Sequence, residues 1–223
     1  MRNLKKYHDI IHSLPKRSRI FNLFLFSFIG LFYLAAPVFG FSLTPEIKFD
    51  RISIEQGLSE NVILSLAQGK QGFLWIGTQD GLNRYDGYTM KIFRNDPGNL
   101  KSLSNNYIFT LYTDRAGTLW IGTAKGLNRF DRETETFVRY FHDPENINSL
   151  SSNNITVIFE DTAGGLWVGT DGGGLNQLDR KTGHFTRYRH QPDNPSTIGH
   201  NTVSSVYEDR SGIIWVGTIG GGL

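Results

Sequence analysis

Phe73-Leu74-Trp75-Ile76-Gly77-Thr78 is followed, after Gln79-Asp80, by Gly81-Leu82-Asn83-Arg84-Tyr85-Asp86. The pair of phrases returns as Leu119-Trp120-Ile121-Gly122-Thr123 with Gly126-Leu127-Asn128-Arg129-Phe130-Asp131, and again as Leu166-Trp167-Val168-Gly169-Thr170 with Gly174-Leu175-Asn176-Gln177-Leu178-Asp179. Ile214-Trp215-Val216-Gly217-Thr218 opens a fourth copy. All four tryptophans of the chain lie in this phrase, 45, 47 and 48 residues apart. A repeat of that period signals a stacked or radial array, and it decides the fold before anything else is read.

Upstream, an Asn stands fourteen residues before each Trp: Asn61, Asn106, Asn153 and Asn201. Two residues later comes a β-branched residue, Ile63, Ile108, Ile155 or Val203. A turn then precedes the Trp strand. It reads Asp114-Arg115-Ala116-Gly117, Asp161-Thr162-Ala163-Gly164 and Asp209-Arg210-Ser211-Gly212, but Gly69-Lys70-Gln71-Gly72 in the first copy. Downstream, Tyr88–Arg94, Thr136–Phe141 and His184–Arg189 are candidates for a fourth strand. Each unit is therefore four short strands joined by Asp/Gly turns, in which Gly takes the positive φ that tight turns need. That is the anatomy of a β-propeller blade. Helical repeats of this period would not place a Gly-containing turn on either side of the Trp phrase in every copy, as this sequence does.

The expected architecture is all-β, an incomplete propeller of about 3.5 four-stranded blades after an N-terminal apolar segment. Residues 1–40 form that segment and 41–56 a leading strand that would complete the last blade. Repeats follow at 57–104, 105–151 and 152–199, with a truncated repeat at 200–223.

Ile20–Phe41 is an apolar run in which only Asn22 and Ser27 are plainly polar, preceded by Lys16-Arg17-Ser18-Arg19. Basic residues hold that end in the cytoplasm, so the repeats are expected outside it, in the periplasm. The run reads as a signal peptide cleaved near Gly40, with an uncleaved inner-membrane anchor as the alternative.

The 223 residues carry 23 Lys and Arg against 21 Asp and Glu, net +2. Residues 1–40 hold six of those bases and one of those acids, which leaves 41–223 at −3. A nucleic-acid partner is excluded on that balance. The absence of Cys excludes disulfides, thiol catalysis and Cys-ligated metals.

The residues from Gly57-Leu58-Ser59-Glu60-Asn61-Val62 through the Trp75 phrase to Asp80-Gly81-Leu82-Asn83-Arg84-Tyr85-Asp86-Gly87 closely resemble the two-component regulator propeller repeats. The resemblance covers about Phe49–Leu223. It implies the periplasmic sensor of a bacterial hybrid histidine kinase or of a propeller-linked diguanylate cyclase. It further implies more blades, a β-sandwich, a membrane helix and cytoplasmic catalytic domains, so the chain is expected to be an N-terminal fragment of such a protein.

Chemistry of other kinds finds no footing in the sequence. One Trp per unit at a fixed position is a packing anchor between blades rather than a ligand platform. The Gly after each Trp dipeptide is expected to let backbones approach closely. The Asp of each Asp-x-x-Gly turn is a turn cap, since a calcium loop needs several oxygens together. Gly172-Gly173-Gly174 lacks the Lys-Ser/Thr and the helix of a phosphate loop. His142, His184, His190 and His200 are scattered over connectors, and His8 and His12 lie in the leader, with no metal-ligand spacing among them. Glu160-Asp161 and Glu208-Asp209 are expected to point to opposite faces or into a turn, which does not suit glycosidase chemistry.

No catalytic, cofactor-binding or metal-binding residue is assigned, and no cofactor. The favoured function is a non-enzymatic sensor of an unidentified extracellular ligand, with saccharides among the candidates, and with self-association of sensor chains. The alternative is a secreted propeller enzyme of lyase type, or an adhesin.

Overall fold

The computed structural model describes residues 47–223; the apolar run Ile20–Phe41 and its leader function lie outside the described residues. Residues 47–49 are exposed and without regular structure. The compact unit runs from Asp50 to Leu223.

The sequence period becomes three four-stranded antiparallel sheets and a two-stranded one. The first sheet is β1 (Ile63–Gln68), β2 (Leu74–Thr78), β3 (Gly81–Tyr85) and β4 (Met90–Phe93). The second is β5 (Ile108–Thr113), β6 (Leu119–Thr123), β7 (Gly126–Asp131) and β8 (Thr136–Tyr140). The third is β9 (Ile155–Glu160), β10 (Leu166–Thr170), β11 (Gly174–Leu178) and β12 (Phe185–Tyr188). The last pairs β13 (Val203–Glu208) with β14 (Ile214–Thr218). Strands pair in chain order within each sheet, the meander of a propeller blade. The fourth strands are shorter than expected, because Tyr88-Thr89 and His184 are spent in the turns before them.

The leading strand expected over 41–56 is not formed within the described residues. Residues 47–53 pair with no strand, and Ile54–Gln56 make one turn of 3-10 helix. Ser53 caps that turn, its hydroxyl accepting from the Glu55 N–H, while the Gln56 side chain takes the Ser53 N–H. A strand exists only with a ladder partner, and here local capping satisfies the backbone instead.

The core lies between sheets. Trp75 and Leu82 of the first sheet pack with Ile108, Leu111, Ile121, Phe130 and Phe137 of the second. Trp120 and Leu127 of the second pack with Ile155, Ile158, Leu166, Val168 and Phe185 of the third. Trp75 meets Phe130 of the next sheet edge-on at 4.9 Å between centroids, a favoured aromatic geometry. Indole exposure follows the neighbours available: 4% for Trp75, 2% for Trp120 and 43% for Trp215.

The glycine two residues after each Trp is a notch. A Cβ on Gly77 would lie 2.7 Å from Ile108 Cγ2, and one on Gly122 would lie 2.7 Å from Ile155 Cγ2. Gly169 meets Val203 of the last sheet in the same way, at 2.8 Å. The β-branched residue after each repeat Asn is thus the knob that fills the previous sheet's notch. Ile108, Ile155 and Val203 are fully buried, whereas Ile63 is 40% exposed. A register shift follows the knob in all four sheets, a bulge that sharpens twist where the strand enters the contact.

Candidate functional site: the junctions between sheets

Two side-chain systems hold each copy together. In the first, a buried Asn on the third strand locks the start of its own repeat. Asn83 Oδ1 accepts the Ser59 N–H at 2.9 Å, and its Nδ2 donates to Ser59 Oγ at 2.8 Å and to the Ile76 carbonyl at 3.2 Å. Ser59 Oγ in turn pairs with Thr78 Oγ1 at 2.8 Å. Asn128 with Ser104 and Thr123, and Asn176 with Ser151 and Thr170, repeat the arrangement. These amides are fully buried and their donors and acceptors are satisfied, the condition under which a buried polar group is tolerated. Sequence reasoning assigned them no role; their signal was the Leu-Ser pair recurring at Leu58-Ser59, Leu103-Ser104 and Leu150-Ser151.

In the second system, the Asn fourteen residues before each Trp takes a backbone N–H from the incoming connector. Asn106, Asn153 and Asn201 accept from Asn95, His142 and His190 at 2.7–2.8 Å. His142 and His190 use Nδ1 on the carbonyls of Leu150 and Ile198, so these histidines cap connectors. Arg139 and Arg187 clamp the same connectors by bonds to the Leu103 and Leu150 carbonyls, and burial pushes both guanidinium pKa values down.

The Asp of the turn before each Trp strand caps its turn, as expected, and also binds the indole. Asp114 Oδ2 accepts from Trp120 Nε1 at 2.9 Å, and its Oδ1 from the Thr118 N–H at 2.8 Å. Asp161 does the same with Trp167 and Gly165, and Asp209 with Trp215 and Ile213. At Asp209, bonds from Ser211 and Trp215 lower the carboxyl pKa to about 2.

Between the second and third sheets this cap becomes an ion-pair cluster. Arg180, on the turn after β11, reaches Asp114 at 2.6 Å and Glu160 at 2.7 Å. Burial opposes ionisation of Asp114, but bonds from Trp120, Thr118 and Arg180 outweigh it and hold the carboxyl below the usual range. Glu160 Oε2 also accepts the Arg115 N–H at 2.8 Å. Glu160 and Asp161 therefore serve different partners, and neither is free for acid–base work.

Between the first and second sheets the cluster is replaced by a cleft of about 310 Å³. Gly69 stands where Asp114 stands one copy later, and Thr113 stands where Glu160 does. The cleft is lined by Gly69, Phe73, Trp75, Arg84, Phe130 and Arg132, among others. Arg84 lies over the Phe73 ring at 4.8 Å and pairs with Glu135 at 2.8 Å. Glu135 also contacts Lys91, and these two cations, Lys91 first, lower its pKa. Glu135 is held at φ 52°, the only non-glycine with positive φ among the described residues.

The comparisons with known proteins agree with this architecture. The two component regulator propeller family matches residues 57–80, 102–125, 149–172 and 197–220, one stretch per copy. The extracellular domain ascribed to a hybrid two-component system of B. thetaiotaomicron superposes with a TM-score of 0.68 at 36% identity, over 76% of this chain and 24% of that one. A second extracellular domain from the same organism, ascribed to a one-component system, gives 0.63 at 27% identity over 78% and 25%. Histidine kinase P4 of Formosa agariphila is 38% identical over 84 residues, 38% of this chain and 6% of that protein. The chain thus spans about a quarter of the solved relatives and a small part of the kinase. With the tryptophan phrase, the notch glycines and the four matched stretches falling on the same four sheets, the chain belongs to the two-component regulator propeller family.

Proposed function

We propose that this chain is the extracytoplasmic ligand-sensing propeller of a membrane-bound signalling protein of the hybrid histidine kinase type. The observation that carries the reading is the 36% identity, across three-quarters of the chain, to an extracellular domain ascribed to such a system. The side chains of the repeats support a binding rather than a catalytic role, because Asp114, Asp161 and Glu160 are taken up in caps and ion pairs. A signal passes only if the ligand binds two arrangements of the sensor unequally. Saccharides are a ligand class to screen first. Self-association supplies a second arrangement: Ile63, Leu64 and Leu66 on the first sheet and Tyr207, Ile213 and Trp215 on the last are exposed.

Two measurements test this. Alkaline phosphatase fused after Leu223 should be active in a bacterial host, as export requires, and an inactive fusion overturns the location. Calorimetric titration of the chain with a panel of oligosaccharides should give saturable heat, together with a change in sedimentation coefficient. A binder that leaves sedimentation unchanged would remove the association step from the reading.

A further inference from the structure

We propose that the cleft between the first and second sheets is a receptor for the carboxylate of a small organic acid, which accepts from donors that an aspartate side chain satisfies in the next copy. The inference comes from comparing one repeat with the next and does not depend on the sensory reading. Asp114 gathers three donors: the Trp120 indole N–H, the Thr118 backbone N–H and the Arg180 guanidinium. The same three positions one copy earlier are Trp75, Phe73 and Arg132. Among the described residues none of these three donors has a hydrogen-bond acceptor. Arg132 in addition lacks the second carboxylate, since Thr113 replaces Glu160 and its buried hydroxyl is itself unpartnered.

Trp75 is buried and lines the cleft, and the position of a Gly69 Cβ lies 2.8 Å from Trp75 Nε1. The indole nitrogen has thus closed up against the Gly69 backbone, where it borders the cleft. An indole N–H that borders the cleft with no protein acceptor is free to donate to an occupant that accepts. Lys70, Arg84 and Arg132 line the cleft and no carboxylate does. Glu135 faces it only through Arg84, whose charge it already balances, so Arg132 and Lys70 remain for an anion. A planar carboxylate matches a guanidinium and an indole N–H better than a spherical anion does. The phenyl walls at Phe73 and Phe130 suit an acid with a flat apolar body.

Benzoate is the probe, with benzamide as the neutral isostere and sodium chloride and sulfate at matched ionic strength. The full chain is labelled with ¹⁵N, and the Trp75 indole resonance is assigned from the Trp75→Phe spectrum. Benzoate should move that resonance saturably and leave Trp120, Trp167 and Trp215 in place, while benzamide should bind at least about tenfold more weakly. Gly69→Asp should abolish the response by supplying the carboxylate from within. Arg132→Gln, at an exposed residue without an ion pair, should weaken benzoate about tenfold without loss of fold, and it decides the matter if Gly69→Asp fails to fold. A shift that does not saturate, that sulfate or chloride reproduces, or that survives Arg132→Gln unchanged overturns the proposal.

Discussion

The two junctions between complete sheets bury similar apolar clusters but differ in their polar centre. Both set an indole against the neighbouring sheet and both place a β-branched knob in a glycine notch. At the second junction two carboxylates, one arginine and one indole N–H satisfy one another. At the first, the arginine and the indole remain while both carboxylates are gone, and a cleft opens. The apolar contacts are therefore enough to join sheets, and the ion-pair cluster is an addition to them. This fits the general finding that a buried ion pair is weak evidence for added stability.

The largest expected effect tests the shared part. Trp120→Ala removes a fully enclosed indole and should cost about 3–5 kcal/mol in denaturant unfolding, whereas Trp215→Ala should cost clearly less because its ring is half in solvent. Equal losses would break the claim that indole burial depends on the next sheet.

Next comes the part that differs. Arg180→Ala strands Asp114 and Glu160, both buried, and should cost about 2 kcal/mol, reduced from the fully buried case because Arg180 is partly exposed. Acid should act on the same cluster. The Asp114 carboxyl is more acidic folded than unfolded, so its contribution is complete above the unfolded pKa of about 4 and is lost as pH falls through the lower folded value. Asp114→Asn should flatten that acid limb of the stability curve, measured by melting temperature against pH.

Smaller still is the attempt to turn one junction into the other. Gly69→Asp requires the Trp75 ring to move away from the new Cβ, toward the spacing of the Asp–Trp pairs in the other copies, so its own sign is set by repacking. Its coupling to Arg132→Ala is the cleaner quantity and should reach about 1 kcal/mol in a double-mutant cycle. Arg132→Ala alone should change stability by under about 0.5 kcal/mol. A large single effect would mean that Arg132 already has a partner, and the contrast with Arg180 would fall.

The sheets, the anchoring tryptophans and the close approach at Gly77, Gly122 and Gly169 were legible in the sequence, because period and residue type carry them. The Asn–Ser–Thr locks were present as repeats but gave no chemical cue, since Asn in a strand reads as a surface residue until its burial is seen. Arg180 was not legible at all. Its partner Asp114 lies 66 residues away, on a different sheet, and an Arg in a turn looks solvated. Gly69 shows in the sequence only as a departure from the Asp of the other copies. Replacing Asp by Gly leaves the strand pattern untouched, while it removes the acceptor for three donors at once. The leading strand was expected to complete a last blade, and residues 47–53, which pair with no strand, are without that partner.

Knob and notch give every sheet a front and a back that are unlike. An interface of that kind is directional: each addition presents the same face it has just covered, and only the angle between sheets decides how many fit around a circle. Because both halves of the contact are written within one repeat, gene duplication can insert or delete a whole copy without redesigning its neighbours. A family built this way can vary in circumference by unequal recombination.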